Sequence, residues 1–245
     1  IERSKKMFRL TKEGQLLYDY SKEMINSYEM LNSRMQALQD KVSGNIRVST
    51  IYSIGLHTLP PFLKLFLKEF PTVNVHVEYS HADKIREDVL GNVVDLGLVA
   101  YPGKDPKLTI IPLVEEPLVL ICAPDHPLAK QEVIHLAALA GENLVGFHID
   151  IPTRRGIDRV LREKKINLNP VMEFDNIETV KRAVEIGSGV AIVPEMTVAQ
   201  EVSLKSLVKV RFRDVKLSRP VAAVYKRTKV LSPALEHFLS VLAGK

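Results

Sequence analysis

Between Leu10 and Val42 the chain repeats an apolar side chain every seven residues, and this run limits the architecture more than any other feature. Leu17, Met24, Leu31 and Leu38 form one series, and Ser21, Tyr28, Met35 and Val42 form a second, offset by four. Two series at that offset are the d and a positions of a helix whose seam faces another helix. No Pro interrupts the run, its one Gly is Gly14, Thr11 is placed to cap its start, and Glu13 falls in the first turn. The expected helix is about 48 Å long, which is long for a helix lying on one small domain. Two readings stay open. One is a dimerising helix that pairs through Leu17, Met24, Tyr28, Leu31, Met35 and Leu38. The other is an amphipathic helix packed on its own domain. The first makes the remainder a module joined to a rod.

That remainder is long enough for one or two domains with real cores, since the chain has 245 residues and is 46% hydrophobic. No apolar run reaches membrane-spanning length, and the charged amino terminus does not resemble a signal segment. Cys122 is the only cysteine, so an intrachain disulfide is excluded and a cytoplasmic setting is expected. It sits inside the apolar run Leu118–Ala123, which predicts a core residue rather than a nucleophile. The net charge of +5 is unevenly placed, because residues 1–12 carry Arg3, Lys5, Lys6, Arg9 and Lys12 against Glu2 alone. A short basic arm of this kind suits contacts with nucleic-acid phosphates, and a solvated tail is the alternative. The chain opens on Ile1 without an initiator Met, so a further segment is expected to precede it.

After Ser43-Gly44-Asn45, which favour a helix stop, strands and helices alternate. Strands are expected at 46–50, 73–79, 94–100, 109–114 and 117–123, with helices at 56–70 and 82–90. The pattern stops at Pro124-Asp125-His126-Pro127 and then begins again. Strands follow at 144–147, 171–174, 190–193, 207–212 and 220–225, and helices at 153–164, 176–186 and 232–242. Strand–helix–strand units with short connections predict parallel α/β sheets in two successive half-domains. The last strand and helix can return to the first domain, with crossings near 123–124 and 215–220.

Motifs for enzyme chemistry are not found: there is no GxGxxG after a strand, Walker lysine loop, HExxH or GxSxG. The seven His are scattered without metal-ligand spacing, so neither metal nor cofactor is expected. Parallel α/β sheets bind ligands beyond the carboxyl ends of their strands, where helix amino termini present free amides. Four segments have that placement: Thr50–Ser53, Ala100–Pro102, His148–Thr153 and Asp175–Asn176. They predict a site for a small polar or anionic molecule between two lobes, although helix capping explains the same Ser and Thr.

Several short motifs resemble, in order and spacing, those of the LysR-type bacterial transcription regulators. Phe8–Gly14 resembles the end of that family's wing and the start of its linker helix, and Gly44–Val48 the entry to its effector-binding domain. Leu59-Pro60-Pro61-Phe62-Leu63 with Phe66 and Phe70–Val73, Asp95–Leu98, His126–Ala129, Gly187–Pro194 and Ser232–Ala234 with Phe238-Leu239 continue the match. The resemblance implies two Rossmann-like subdomains of the periplasmic-binding-protein type II kind behind a dimerisation helix. The division would be 1–43 for wing end and linker, 44–123 plus 218–245 for one subdomain, and 124–217 for the other. It also implies a homodimer or homotetramer, with DNA read by a winged helix-turn-helix preceding Ile1. Carried over position by position, the effector residues fall on Thr50, Ser53, Ala100 or Tyr101, His148, Thr153 and Asn176. A solute-binding receptor of the same bilobal shape is the alternative, and an enzyme using the cleft is a third reading.

Overall fold

The computed structural model describes residues 2–4, 7–37 and 42–244, so Lys5, Lys6 and Leu38 of the expected arm and seam lie outside the described residues. Strands β1 (Glu2–Ser4) and β2 (Met7–Arg9) pair antiparallel, with Glu2 opposite Arg9. The basic arm is therefore a two-stranded ribbon carrying Arg3 and Arg9 on its backbone.

Helix α1 (Lys12–Ala37) follows. Thr11 caps it as the sequence predicts: its Oγ1 accepts the Gly14 amide at 3.0 Å and its carbonyl accepts the Gln15 amide at 2.8 Å. At 26 residues the described helix is about 39 Å long. Val42, expected as the last seam position, packs instead against the core of the first lobe. Gly44 then starts the sheet at φ +125°, a backbone open to a residue without a Cβ.

Strand β3 (Gly44–Thr50) leads into one continuous helical run over residues 52–69, made of a π-helical turn at Ile54–Thr58 and helix α2 (Leu59–Glu69). Pro60 and Pro61 have no amide to give the carbonyls four residues earlier, and the Leu59 amide reaches back five residues to Ile54. Strand β4 (Val73–Tyr79), helix α3 (Ala82–Leu90) and strand β5 (Leu96–Ala100) complete two parallel crossover units around β3. Gly97 in β5 lets α3 and a later strand approach, because a Cβ there would lie 2.6 Å from Ile85 Cγ2 and 2.9 Å from Val224 Cγ2.

Strand β6 (Leu108–Cys122) replaces the two strands expected on either side of Glu115 and Glu116. It runs unbroken and changes neighbours on the way. Strand β7 (Val133–Ile134), β8 (Asn143–Phe147), helix α4 (Pro152–Glu163), β9 (Asn169–Phe174), helix α5 (Ile177–Glu185), β10 (Ala191–Pro194), helix α6 (Ala199–Ser203) and β11 (Val208–Phe212) form the second lobe. Strand β12 (Ser218–Lys226) and helix α7 (Pro233–Leu242) return to the first. Ser232 caps α7 through the Leu235 amide at 3.3 Å.

The main sheet runs β4-β3-β5-β12-β6-β11-β7, with β10 also on β6, and a bridge from Leu144 to Val190 attaches the parallel pair β8-β9. Residues 108–117 of β6 pair with β12, while 118–122 pair with β10 and β11. Leu118 to Cys122 also pack inside the second lobe's two cores. The first crossing therefore falls at Pro117–Leu118, earlier than the boundary expected after Ala123, because the strand continues where a loop was expected. The first lobe's core joins Ile46, Val48, Phe66, Leu98, Val221 and Phe238, with the Phe66 and Phe238 rings 4.9 Å apart. Cys122 lies fully buried in the second, and burial pushes its thiol up to about 11, which suits packing and not nucleophilic chemistry.

Candidate functional site

The strand ends that carry the predicted segments open on a cleft of about 350 Å³ between the lobes. Ser53, Ala100, His148, Thr153 and Asn176 line it, together with Tyr52, Ser80 and His81. Each is placed by its element. Ser53 follows β3 in the first turn of the helical run, and Ala100 ends β5. His148 follows β8, and its Nδ1 lies 3.2 Å from Asp150 Oδ2. Thr153 sits in the first turn of α4 behind Pro152, and Asn176 caps α5, its Oδ1 accepting the Thr179 amide at 3.1 Å.

Two predicted residues stand elsewhere. Thr50 is fully buried at the end of β3, where its hydroxyl donates to the Ile51 carbonyl at 3.2 Å. It shapes the turn behind Ser53 and does not reach the lining. Tyr101 turns away from the cavity at φ +52°, donates its hydroxyl to the Ser218 carbonyl at 3.1 Å and packs its ring on Gly156 of α4. Burial raises its pKa, more than the nearby Arg219 lowers it. It spans the lobes beside the cleft.

The residue that sequence reading missed is Arg219, at the start of β12 and 1% exposed. Its Nε donates to Glu116 Oε2 at 2.7 Å. Nη2 lies 2.6 Å from the same oxygen, off the angle of a hydrogen bond. Its Nη1 donates to Thr153 Oγ1 at 3.3 Å, and Thr58 donates to Glu116 Oε1 at 2.5 Å. A polar chain thus runs from the π-helical turn through both crossing strands to α4. Burial pushes the Arg219 guanidinium down, and Glu116 opposes that shift. Glu116 sat where a break between strands was expected, and its partner lies 103 residues away, so only the register of β6 on β12 could have joined them.

A second contact joins the two lobes. His57 Nε2 of the π-helical turn lies 2.9 Å from Glu178 Oε1 of α5, and Lys181 Nζ lies 3.0 Å from the same oxygen. Lys181 is buried and also meets Glu201 at 2.8 Å and the Thr197 carbonyl at 3.0 Å. Among the described residues, no cluster of three or more His, Cys, Asp or Glu could hold a metal ion, and no helix is long and apolar enough to cross a membrane.

Two α/β lobes on a shared sheet, with helix amino termini around the cleft and a long helix in front, define a two-lobed ligand-binding domain on a rod. Residues 39–245 match the family described as LysR substrate binding domain, and the chain belongs to it. It is 28% identical over 233 residues to the HTH-type transcriptional activator CmpR of Synechocystis, a match covering 95% of this chain and 76% of that protein. The fold is also that of the effector-binding domain of QuiR in complex with shikimate, at TM-score 0.75 and 22% identity over 82% of this chain and 96% of that one. The Synechocystis PCC6803 CcmR regulatory domain in complex with 2-PG matches at TM-score 0.74 and 24% identity, over the same shares of each chain. The chain carries the effector-binding part of a LysR-type transcriptional regulator, and its relatives are regulators rather than enzymes.

Proposed function

We propose that a small polar or anionic effector binds between the lobes, touches Ser53, Ala100, His148, Thr153 and Asn176, and shifts an equilibrium between open and closed arrangements. The observation that carries this reading is the pair Ser53 and Thr153, which line one cavity from opposite lobes. A ligand bridging them binds the closed arrangement better than the open one, which is the condition for regulation. That shikimate and 2-PG are bound to the neighbours supports a small-molecule site of this kind. The two lobes are taken as 44–117 with 218–245, and 118–217. We assign pairing of two copies to α1, DNA recognition to a domain outside these residues, and phosphate contacts to Arg3, Lys5, Lys6 and Arg9.

Thermal melts with a metabolite panel that includes shikimate and 2-PG test the cleft. Ser53→Ala and Thr153→Ala are expected to weaken the ligand-induced rise in Tm while lowering the unliganded Tm by less than about 5 °C. Ligand shifts unchanged in both variants would remove the cleft as the effector site.

A further inference from the structure

We infer that the cleft selects a monocarboxylate with an apolar body over phosphate dianions and dicarboxylates; the inference rests on the cleft being the effector site. Four helix amino termini open on it, and two of them are already answered by the protein. Helix α3 carries Asp83 in its first turn, and α5 carries Glu178 there as well as the Asn176 cap. The other two have neither an acidic residue in the first turn nor a side-chain cap: the run over residues 52–69 in the first lobe and α4 in the second. Their first closing bonds come from Ile54 and Gly55 to the Ile51 carbonyl, and from Arg155 to the Ile151 carbonyl. The amides of Tyr52, Ser53, Thr153 and Arg154 precede those bonds and have no intrahelical acceptor. Each end carries roughly half a positive charge, so the two sum to about one.

The side chains point to the same head group. Ser53 is 6% exposed, lines the cavity, and its hydroxyl makes no hydrogen bond with any described residue. That hydroxyl opens on the cavity, so it is free to donate to a ligand in place of water. Thr153, 2% exposed, accepts from Arg219 and so keeps its own proton to donate. Arg219 is the only Lys or Arg among the described lining residues, and Glu116 neutralises it. One negative charge is therefore matched. A second would meet Asp83, Asp150 and Asp175, which line the same cavity. Around these groups the walls are Ile51, Tyr52, Phe147, Ile151 and Ile177, which favour a hydrocarbon body.

The test is a set of thermal melts of the full 245-residue chain. The probes are monocarboxylates graded from acetate through isobutyrate to benzoate, set against succinate, inorganic phosphate and glycerol 3-phosphate at matched ionic strength. The larger monocarboxylates are expected to raise Tm with saturation, and the dianions to give less. Ser53→Ala and Thr153→Ala should each move the half-saturating concentration up by about tenfold, the size of one hydrogen bond to a charged group. Stronger stabilisation by a dianion, lost in those variants, would overturn the inference and leave the cleft as the site. Stabilisation unaffected in both variants would overturn the cleft itself. No shift from any monocarboxylate would also overturn the inference.

Discussion

At the scale of single residues, the pair Arg219–Glu116 is an ion pair with both side chains buried. Removing one partner of such a pair leaves an uncompensated charge in the interior, whereas replacing both by apolar groups does not. Arg219→Met is expected to cost about 3–5 kcal/mol in urea melts, and Arg219→Met with Glu116→Leu to cost less than the single change. Two further carboxylates set the response to acid. Burial would raise Asp95, but the Arg47 hydrogen bonds and Lys229, at 2.9 Å, outweigh it and hold it below the ordinary 3.8. Burial likewise opposes, and the Lys181 and His57 hydrogen bonds prevail in, lowering Glu178 below 4.5. A carboxylate depressed on folding contributes stability that is present above its ordinary pKa and is lost as pH falls through the folded value. Tm should therefore stay level from neutral pH down to those ordinary values and drop below them, and Asp95→Asn should flatten part of that drop. The sequence exposes Ser53, Thr153 and Asn176 because strand ends and helix starts leave a local signature. It does not expose Arg219, whose role comes from a partner far along the chain.

At the scale of elements, local rules recovered α1, α3, α5 and α7, each marked by a cap, a Gly or a Pro. They failed at β6. Two adjacent acids read as a break there, yet Glu115 and Glu116 stand opposite Pro220 and Arg219 in a ladder whose register shifts only farther on, between Val221 and Ala222. They also missed α6 and β7, which are five and two residues long and hold too few positions for a period to show. Helix α4 was legible, but not what its Gly156 does. A Cβ at Gly156 would overlap the Tyr101 hydroxyl, and that hydroxyl is tied to the Ser218 carbonyl and cannot swing away freely. Gly156→Ala should cost about 1–3 kcal/mol by overpacking, and Tyr101→Ala in the same chain should recover part of it. Urea melts of the four proteins of that cycle give the coupling directly. Additive costs would mean that the two residues do not meet in solution.

At the scale of the whole molecule, α1 turns Glu23, Ser27 and Met30 toward a cavity of about 480 Å³ against the first lobe. It leaves Leu17, Met24, Tyr28, Leu31 and Met35 exposed. An apolar stripe of that length on a soluble helix is covered when two copies pair. Leu17→Glu with Leu31→Glu should reduce the mass measured by light scattering to that of one chain, while the melting of the lobes stays within a few degrees. An unchanged mass would place self-association on another surface.

The sheet that β6 carries through both lobes has an evolutionary and practical corollary. That strand is laddered on both sides of its crossing, and the second lobe is inserted within the sequence of the first. Neither lobe can then be cut out as a portable cassette. A first-lobe piece that kept the whole of β6 would bare Leu118, Leu120 and Cys122 to water, so gene fusions that transplant this sensor must take residues 44–244 as one piece.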